Sequence, residues 1–103
     1  MALVAQRNIS NNSTTELFSA ADNPGTISSL IIANTHDTEA TFCNLFLFDN
    51  VNSYYILKNT LIPKGTTLIV EEDAFNLEQV QGLYIKLTGD NSSTSSATVT
   101  IKK

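Results

Sequence analysis

The sequence predicts an all-β protein: an antiparallel β-sandwich, of jelly-roll or immunoglobulin-like type, with about seven or eight strands. Three observations carry that expectation. Short runs rich in β-branched and aromatic residues recur along the 103-residue chain between polar breaks, a rhythm that suits strands and turns. The breaks carry turn chemistry, with Pro24 and Pro63 both outside the runs and each followed closely by a glycine. Helical periodicity is nearly absent. A chain of this length has room for one core and no second one.

Taken in order, strands are expected near Leu3–Ile9, Thr15–Ser19, Thr26–Asn34, Thr41–Phe48, Ser53–Leu61, Thr66–Glu71, Leu83–Thr88 and Ala97–Lys102. Residues 1–13 are rich in Asn and Ser and bury little alone, so they are expected as an N-terminal arm reaching a neighbour, with 14–103 as a single sandwich domain. Asn23-Pro24-Gly25 sets Pro second and Gly third in a type II turn, where Gly supplies the positive φ. Ile62-Pro63-Lys64-Gly65 suits a type I turn closing a hairpin with a bulge. In the segment 72–80, EDAFNLEQV, Phe75, Leu77 and Val80 fit one helical turn, and a loop across the end of the sandwich fits as well. The segment 89–96, GDNSSTSS, is expected as a polar hairpin or a mobile loop. In the last two strands Leu83, Ile85, Leu87, Val99 and Ile101 alternate with polar or amphipathic residues, so each of these strands has one face toward water.

The strand in TFCNLFLFDN, residues 41–50, departs from that alternation. Cys43, Leu45 and Leu47 share one parity, while Phe42, Phe46 and Phe48 share the other, so both faces are apolar. A hairpin with 53–61 and a three-residue loop at 50–52 sets Leu47 opposite Tyr55 and Leu45 opposite Leu57. These, with Cys43, are assigned to the core. The other face then carries Phe46, Phe48, Tyr54 and Ile56, bordered by Lys58, an aromatic centre with a polar rim of the kind that forms interfaces. The competing reading covers this second face with another part of the same chain. An even loop would move Tyr54 and Ile56 to the opposite face.

Composition excludes more than it selects. Charged residues make up only 16% of the chain and the net charge is -4, with the six basic residues scattered apart from Lys102 and Lys103, so nothing matches a phosphate backbone. Neither a nucleic-acid nor a membrane partner is expected, since no window approaches the roughly 20 apolar residues of a span. The start MALVAQRNISNNST lacks a basic region followed by an apolar stretch, which leads to the expectation of a protein without a secretory signal. The Asn-x-Ser/Thr triplets at Asn8, Asn11, Asn12 and Asn91 then read as polar turn composition. The single cysteine, Cys43, permits no internal disulfide and reads as a small buried hydrophobe.

Catalytic chemistry needs clustered residue types that this chain barely has: one His, one Cys and isolated glycines. His36-Asp37-Thr38-Glu39 and Glu71-Glu72-Asp73 are the densest groups of candidate metal ligands, and both read better as solvated turns or edges. No enzyme and no cofactor are expected. A carbohydrate-binding or adhesion module is the alternative from another class, with Tyr54, Tyr55 and Tyr84 as the available platforms.

The order SLIIANT (29–35), an aromatic strand ending in Asp, YYILKN (54–59), LIPKGTTL (61–68) and a closing LYIKLTG…ATVTIKK resembles small β-sandwich structural proteins of tailed-bacteriophage virions, the minor capsid, neck and tail components. The resemblance spans nearly the whole chain. It implies a non-enzymatic assembly part, whether capsid decoration or cement, neck or tail, present as a homo-oligomer. Its partners would be other virion proteins and copies of itself, and it would be assembled in the host cytoplasm and located in the virion. It brings no site residues with it, because the group shares a packing pattern rather than a site.

Overall fold

A computed structural model of the chain describes residues 3–70, 75–76 and 82–102. Among them ten strands form: β1 (Leu3–Ile9), β2 (Thr14–Phe18), β3 (Thr26–Ile27), β4 (Ser29–Asn34), β5 (Thr41–Phe48), β6 (Ser53–Ile62), β7 (Thr67–Val70), β8 (Phe75–Asn76), β9 (Gly82–Gly89) and β10 (Ala97–Lys102). Eight build two four-stranded antiparallel sheets, β1-β10-β4-β7 and β2-β9-β5-β6, packed as a sandwich, and β3 pairs with β8 in a separate two-stranded ribbon.

The topology has one generating rule. In β1/β10, β2/β9, β4/β7 and β5/β6, residue i faces residue j with i + j between 100 and 106: Ile9 faces Ala97, Thr15 faces Ile85, Ile31 faces Ile69 and Leu47 faces Tyr54. The chain is thus one long antiparallel ribbon doubled over at residues 49–52. Rolling that ribbon up brings β10 beside β4 and β9 beside β5, which completes both sheets. Of the two sandwich types the sequence allowed, this is the jelly roll, since the immunoglobulin arrangement divides its strands four and three.

Alternation places the core between the sheets. In β10 Ala97, Val99 and Ile101 are buried and the residues between them are not, and in β9 Leu83, Ile85 and Leu87 are buried while Lys86 is exposed. Cys43 and Leu45 of β5 join them, with Leu47 and Leu57 half-buried at the margin. Burial pushes the Cys43 thiol up to about 12, because a thiolate there would lose its water.

Several expectations change. The strand expected over 26–34 breaks at Ser28, whose N–H is diverted to the Lys102 carbonyl at 3.0 Å. The turn 63–66 has Gly65 at φ 71 and a Thr66 N–H donating to the Pro63 carbonyl at 3.2 Å. It closes no hairpin: β6 and β7 lie in different sheets, so the same turn chemistry serves as a corner. Within the expected arm 1–13, β1 is hydrogen-bonded in cis to β10. The reading of 72–80 and the acidic run 71–73 lie outside the described residues, apart from Phe75–Asn76.

The polar segment 89–96 crosses between the sheets, and the Asn12 side chain bonds it at three points. Asn12 Oδ1 accepts from Gly89 N–H at 3.2 Å and Ser95 N–H at 2.9 Å, while its Nδ2 donates to the Ser93 carbonyl at 3.1 Å. Buried Asn34 does a similar job at β4, donating to the carbonyls of Ile62 and Glu39 and accepting from His36 N–H. These bonds satisfy backbone groups that corners would otherwise strand.

Candidate functional site

The outer face of the β2-β9-β5-β6 sheet carries a row of rings. Phe46 on β5 is flanked by its cross-strand partners Tyr84 on β9 and Tyr55 on β6, at centroid distances of 5.9 Å (stacked, 14°) and 5.2 Å (tilted, 41°). Phe48 meets Tyr84 edge-on at 5.9 Å. Lys58 holds its ammonium 5.0 Å above the Tyr55 ring, in cation–π geometry. Phe42 and Leu61, paired across the strands, extend the apolar surface along the sheet, and Leu61 is 51% exposed. Each such ring pair contributes roughly 0.5–1.5 kcal/mol beyond its burial, so the row is stiff as well as apolar.

The polar border is equally specific. Tyr84 Oη donates to Glu16 Oε2 at 2.9 Å, a bond that holds the phenol above its ordinary 10.0 because the phenolate would lose it and face the carboxylate. At the hairpin end Asp49 Oδ1 accepts from the N–H groups of Asn52 (2.7 Å) and Val51 (2.9 Å), and Tyr54 Oη reaches Oδ2 at 3.4 Å. The Asn52 bond, then the Val51 bond, hold the Asp49 carboxyl below its ordinary 3.8.

This turn explains a correction to the expected register. Because the Asp49 carboxylate captures both following N–H groups, the loop takes four residues rather than three, and Leu47 faces Tyr54 while Phe46 faces Tyr55. Two irregularities then accumulate in β6. Ile56 is skipped between Phe46/Tyr55 and Leu45/Leu57, and Lys58 and Asn59 together face Asn44, with Asn59 at φ 48 and its N–H held by Asn44 Oδ1 at 3.0 Å. Tyr55, expected in the core, is therefore half exposed (50%) on the aromatic face. Tyr54 is also half exposed (48%) but on the strand's other parity, and Ile56, expected on the outer patch, packs against the core. Phe46, Phe48 and Lys58 lie on the outer face beside Tyr55 and Tyr84. Tyr84 was missed as a member of the patch, because its alternation with Leu83 and Ile85 says only that it faces outward, not that β9 lies beside β5.

The cluster at 36–39 has a different use. His36 Nδ1 accepts from the N–H groups of Thr38 (3.1 Å) and Glu39 (3.0 Å), so the neutral ring carries its proton on Nε2 and offers no lone pair there to a metal. Glu39 Oε2 accepts from Asn91 Nδ2 at 2.9 Å. Among the described residues no group of three or more His, Cys, Asp or Glu side chains is placed to hold a metal ion. A shallow polar depression lies between Thr35, His36, Asp37, Thr38 and Ser96, where the hydroxyls of Thr35 and Ser96 are 2.7 Å apart. No helix among the described residues is long and apolar enough to cross a membrane.

No protein-family model and no curated protein sequence matches the chain. Among solved structures it is similar to a pentameric capsid protein isolated from metagenomic phage sequences, in two crystal structures, each with a TM-score of 0.51 and 14% sequence identity. The match covers 99% of this chain and 64% and 63% of those chains. The chain thus spans a little under two thirds of the length of the proteins it matches. At this identity the likeness is one of fold, and the chain has the all-β sandwich architecture of a phage capsid protein, in line with its sequence resemblance to β-sandwich proteins of phage virions.

Proposed function

We propose that this chain is a non-enzymatic structural protein of a phage virion, a capsid, neck or tail component that works by packing against copies of itself and other virion proteins. The observation that carries the reading is the row Tyr84, Phe46 and Tyr55 on the outward face of a sheet whose other face is already in the core. A stiff aromatic centre bordered by Lys58 and Glu16 is built for contact and is a liability if left in water. The fold likeness to a capsid protein, over 99% of this chain and 64% of that one, supports the setting. Quantitative mass spectrometry of purified particles is the test: the chain is expected in multiple copies per particle, and its absence from them overturns the reading. A Phe46→Ser/Tyr55→Thr variant that folds yet enters particles as well as the wild type removes this face from the contact.

A second reading draws on the half-exposed rings of Tyr54 and Tyr55, since jelly rolls also serve as lectins. Binding to a sugar array that is lost on Tyr54→Ala would establish a carbohydrate-binding role in its place.

A further inference from the structure

Among the described residues the large hydrophobic side chains left exposed are Val51 (81%), Tyr54, Tyr55, Leu61 and Ile69 (54%). Four of the five fall in the segment 51–61, the hairpin turn and β6, which is the edge of its sheet. The fifth is on β7, the edge of the other sheet, joined to β6 by the turn 63–66. On the opposite margin Arg7 and Asn8 of β1 and Glu16 of β2 are exposed. Among the described residues, the exposed large apolar side chains therefore gather on the β6–β7 side of the sandwich.

We propose that this β6 margin is a two-fold contact between copies of the chain, deepening the self-assembly part of the proposed function, on which it rests. The charges on the margin are self-complementary. Asp49 lies level with Asn52, to whose carbonyl its N–H donates at 3.3 Å, and Lys58 lies six residues further along β6, about 20 Å at ordinary strand rise. Tyr55 is midway. A two-fold axis beside Tyr55 reverses β6 onto a second β6 and brings each Lys58 to the level of the second copy's Asp49, with the Tyr55 rings meeting at the centre. Opposite charges flank an aromatic middle on both sides, the symmetry an isologous interface requires. Asp49 has the capacity for this pairing, since Oδ1 takes both backbone N–H groups and Oδ2 accepts only the long 3.4 Å contact from Tyr54. Lys58 and the irregularities at Ile56 and Lys58–Asn59 also blunt the edge against unrelated strands, so the margin favours a partner that matches its charges.

The test is light scattering and sedimentation of the full chain as a function of salt. Wild type is expected to form oligomers whose dissociation constant rises with salt. Lys58→Glu sets two acids against each other. Its dissociation constant is expected to rise roughly tenfold at low salt and to fall as salt is added, with an unchanged far-UV spectrum because Lys58 is exposed. Photo-oxidation of wild type should join copies through a Tyr55–Tyr55 bridge that Tyr55→Phe lacks. An oligomer whose mass and salt dependence Lys58→Glu leaves unchanged, or whose tyrosine bridges run through Tyr84, overturns this contact and leaves the virion reading standing. Absence of the chain from particles overturns the virion reading whatever the margin does, and a monomer at every concentration overturns the contact directly.

Discussion

Thr41→Val is expected to stabilise the protein. Thr41 opens β5, facing Ile62 on one side and Gly89 on the other, and is completely buried, with no hydrogen-bond partner for its hydroxyl oxygen. An unpartnered buried hydroxyl costs about 1–3 kcal/mol of desolvation. Valine has nearly the same shape and replaces that hydroxyl with a methyl group, so the variant should gain about 1–2 kcal/mol. For a chain of 103 residues, an unfolding entropy of about 2.1 cal/mol/K per residue turns each kcal/mol into about 5 °C of Tm. Urea unfolding at fixed protein concentration should show a higher midpoint with an unchanged slope. Thr41→Ser, which keeps the hydroxyl and loses the methyl, should fall by about 1 kcal/mol. If Thr41→Val is equal to or less stable than wild type at unchanged slope, the hydroxyl has a partner such as a bound water, and the reasoning fails.

Other consequences can be measured on the same material. With its thiol at about 12 and no exposed surface, Cys43 should react with thiol reagents at pH 8 only through unfolding, so labelling should track the urea curve; fast labelling of native protein would contradict the burial. Asp49 sits below its ordinary 3.8, so its contribution is fully present above that value and is lost as pH falls through the lowered one; Asp49→Asn should remove this part of the acid limb in a pH series of stability. Tyr84 is raised above 10.0, so its contribution is present below that value and is lost as pH climbs through the raised one; Glu16→Gln should move its ultraviolet titration back down. Asn12→Ala strands Gly89 and Ser95 N–H and the Ser93 carbonyl and should cost roughly 2–3 kcal/mol by urea unfolding.

Strand existence was legible because β-branched and aromatic runs state it directly: β1, β5 and β10 sit where composition places them. Register was less so, because it depends on where one carboxylate finds its donors. Asp49 choosing both Val51 and Asn52 N–H sets a four-residue loop, and that choice sends Tyr55 outward and Ile56 inward. Sheet membership was hidden for a different reason. Pro63 and Gly65 encode a change of direction, and a corner between sheets uses the same backbone conformations as a hairpin within one. Of the candidate site, Phe46 and Phe48 could be read from a doubly apolar strand, while Tyr84 required knowing that β9 lies beside β5, a pairing 38 residues apart at Phe46 that no local pattern specifies.

The doubled-over ribbon also has a kinetic meaning. Once the 49–52 turn forms and β5 meets β6, β4 meets β7 by closing only the two short connections, 35–40 and 63–66, rather than the whole length between them. β2/β9 and then β1/β10 follow outward, although Leu3 and Lys102 are separated by nearly the full chain. A sequence with mostly distant contacts can thereby assemble as a zipper, each closed pair serving as the short loop for the next. Joining the two ends and reopening the chain at the apex would keep the same strand pairs and remove the starting turn, so such a permutant should keep most of its stability and refold more slowly, with folding set by whichever junction then becomes the nearest.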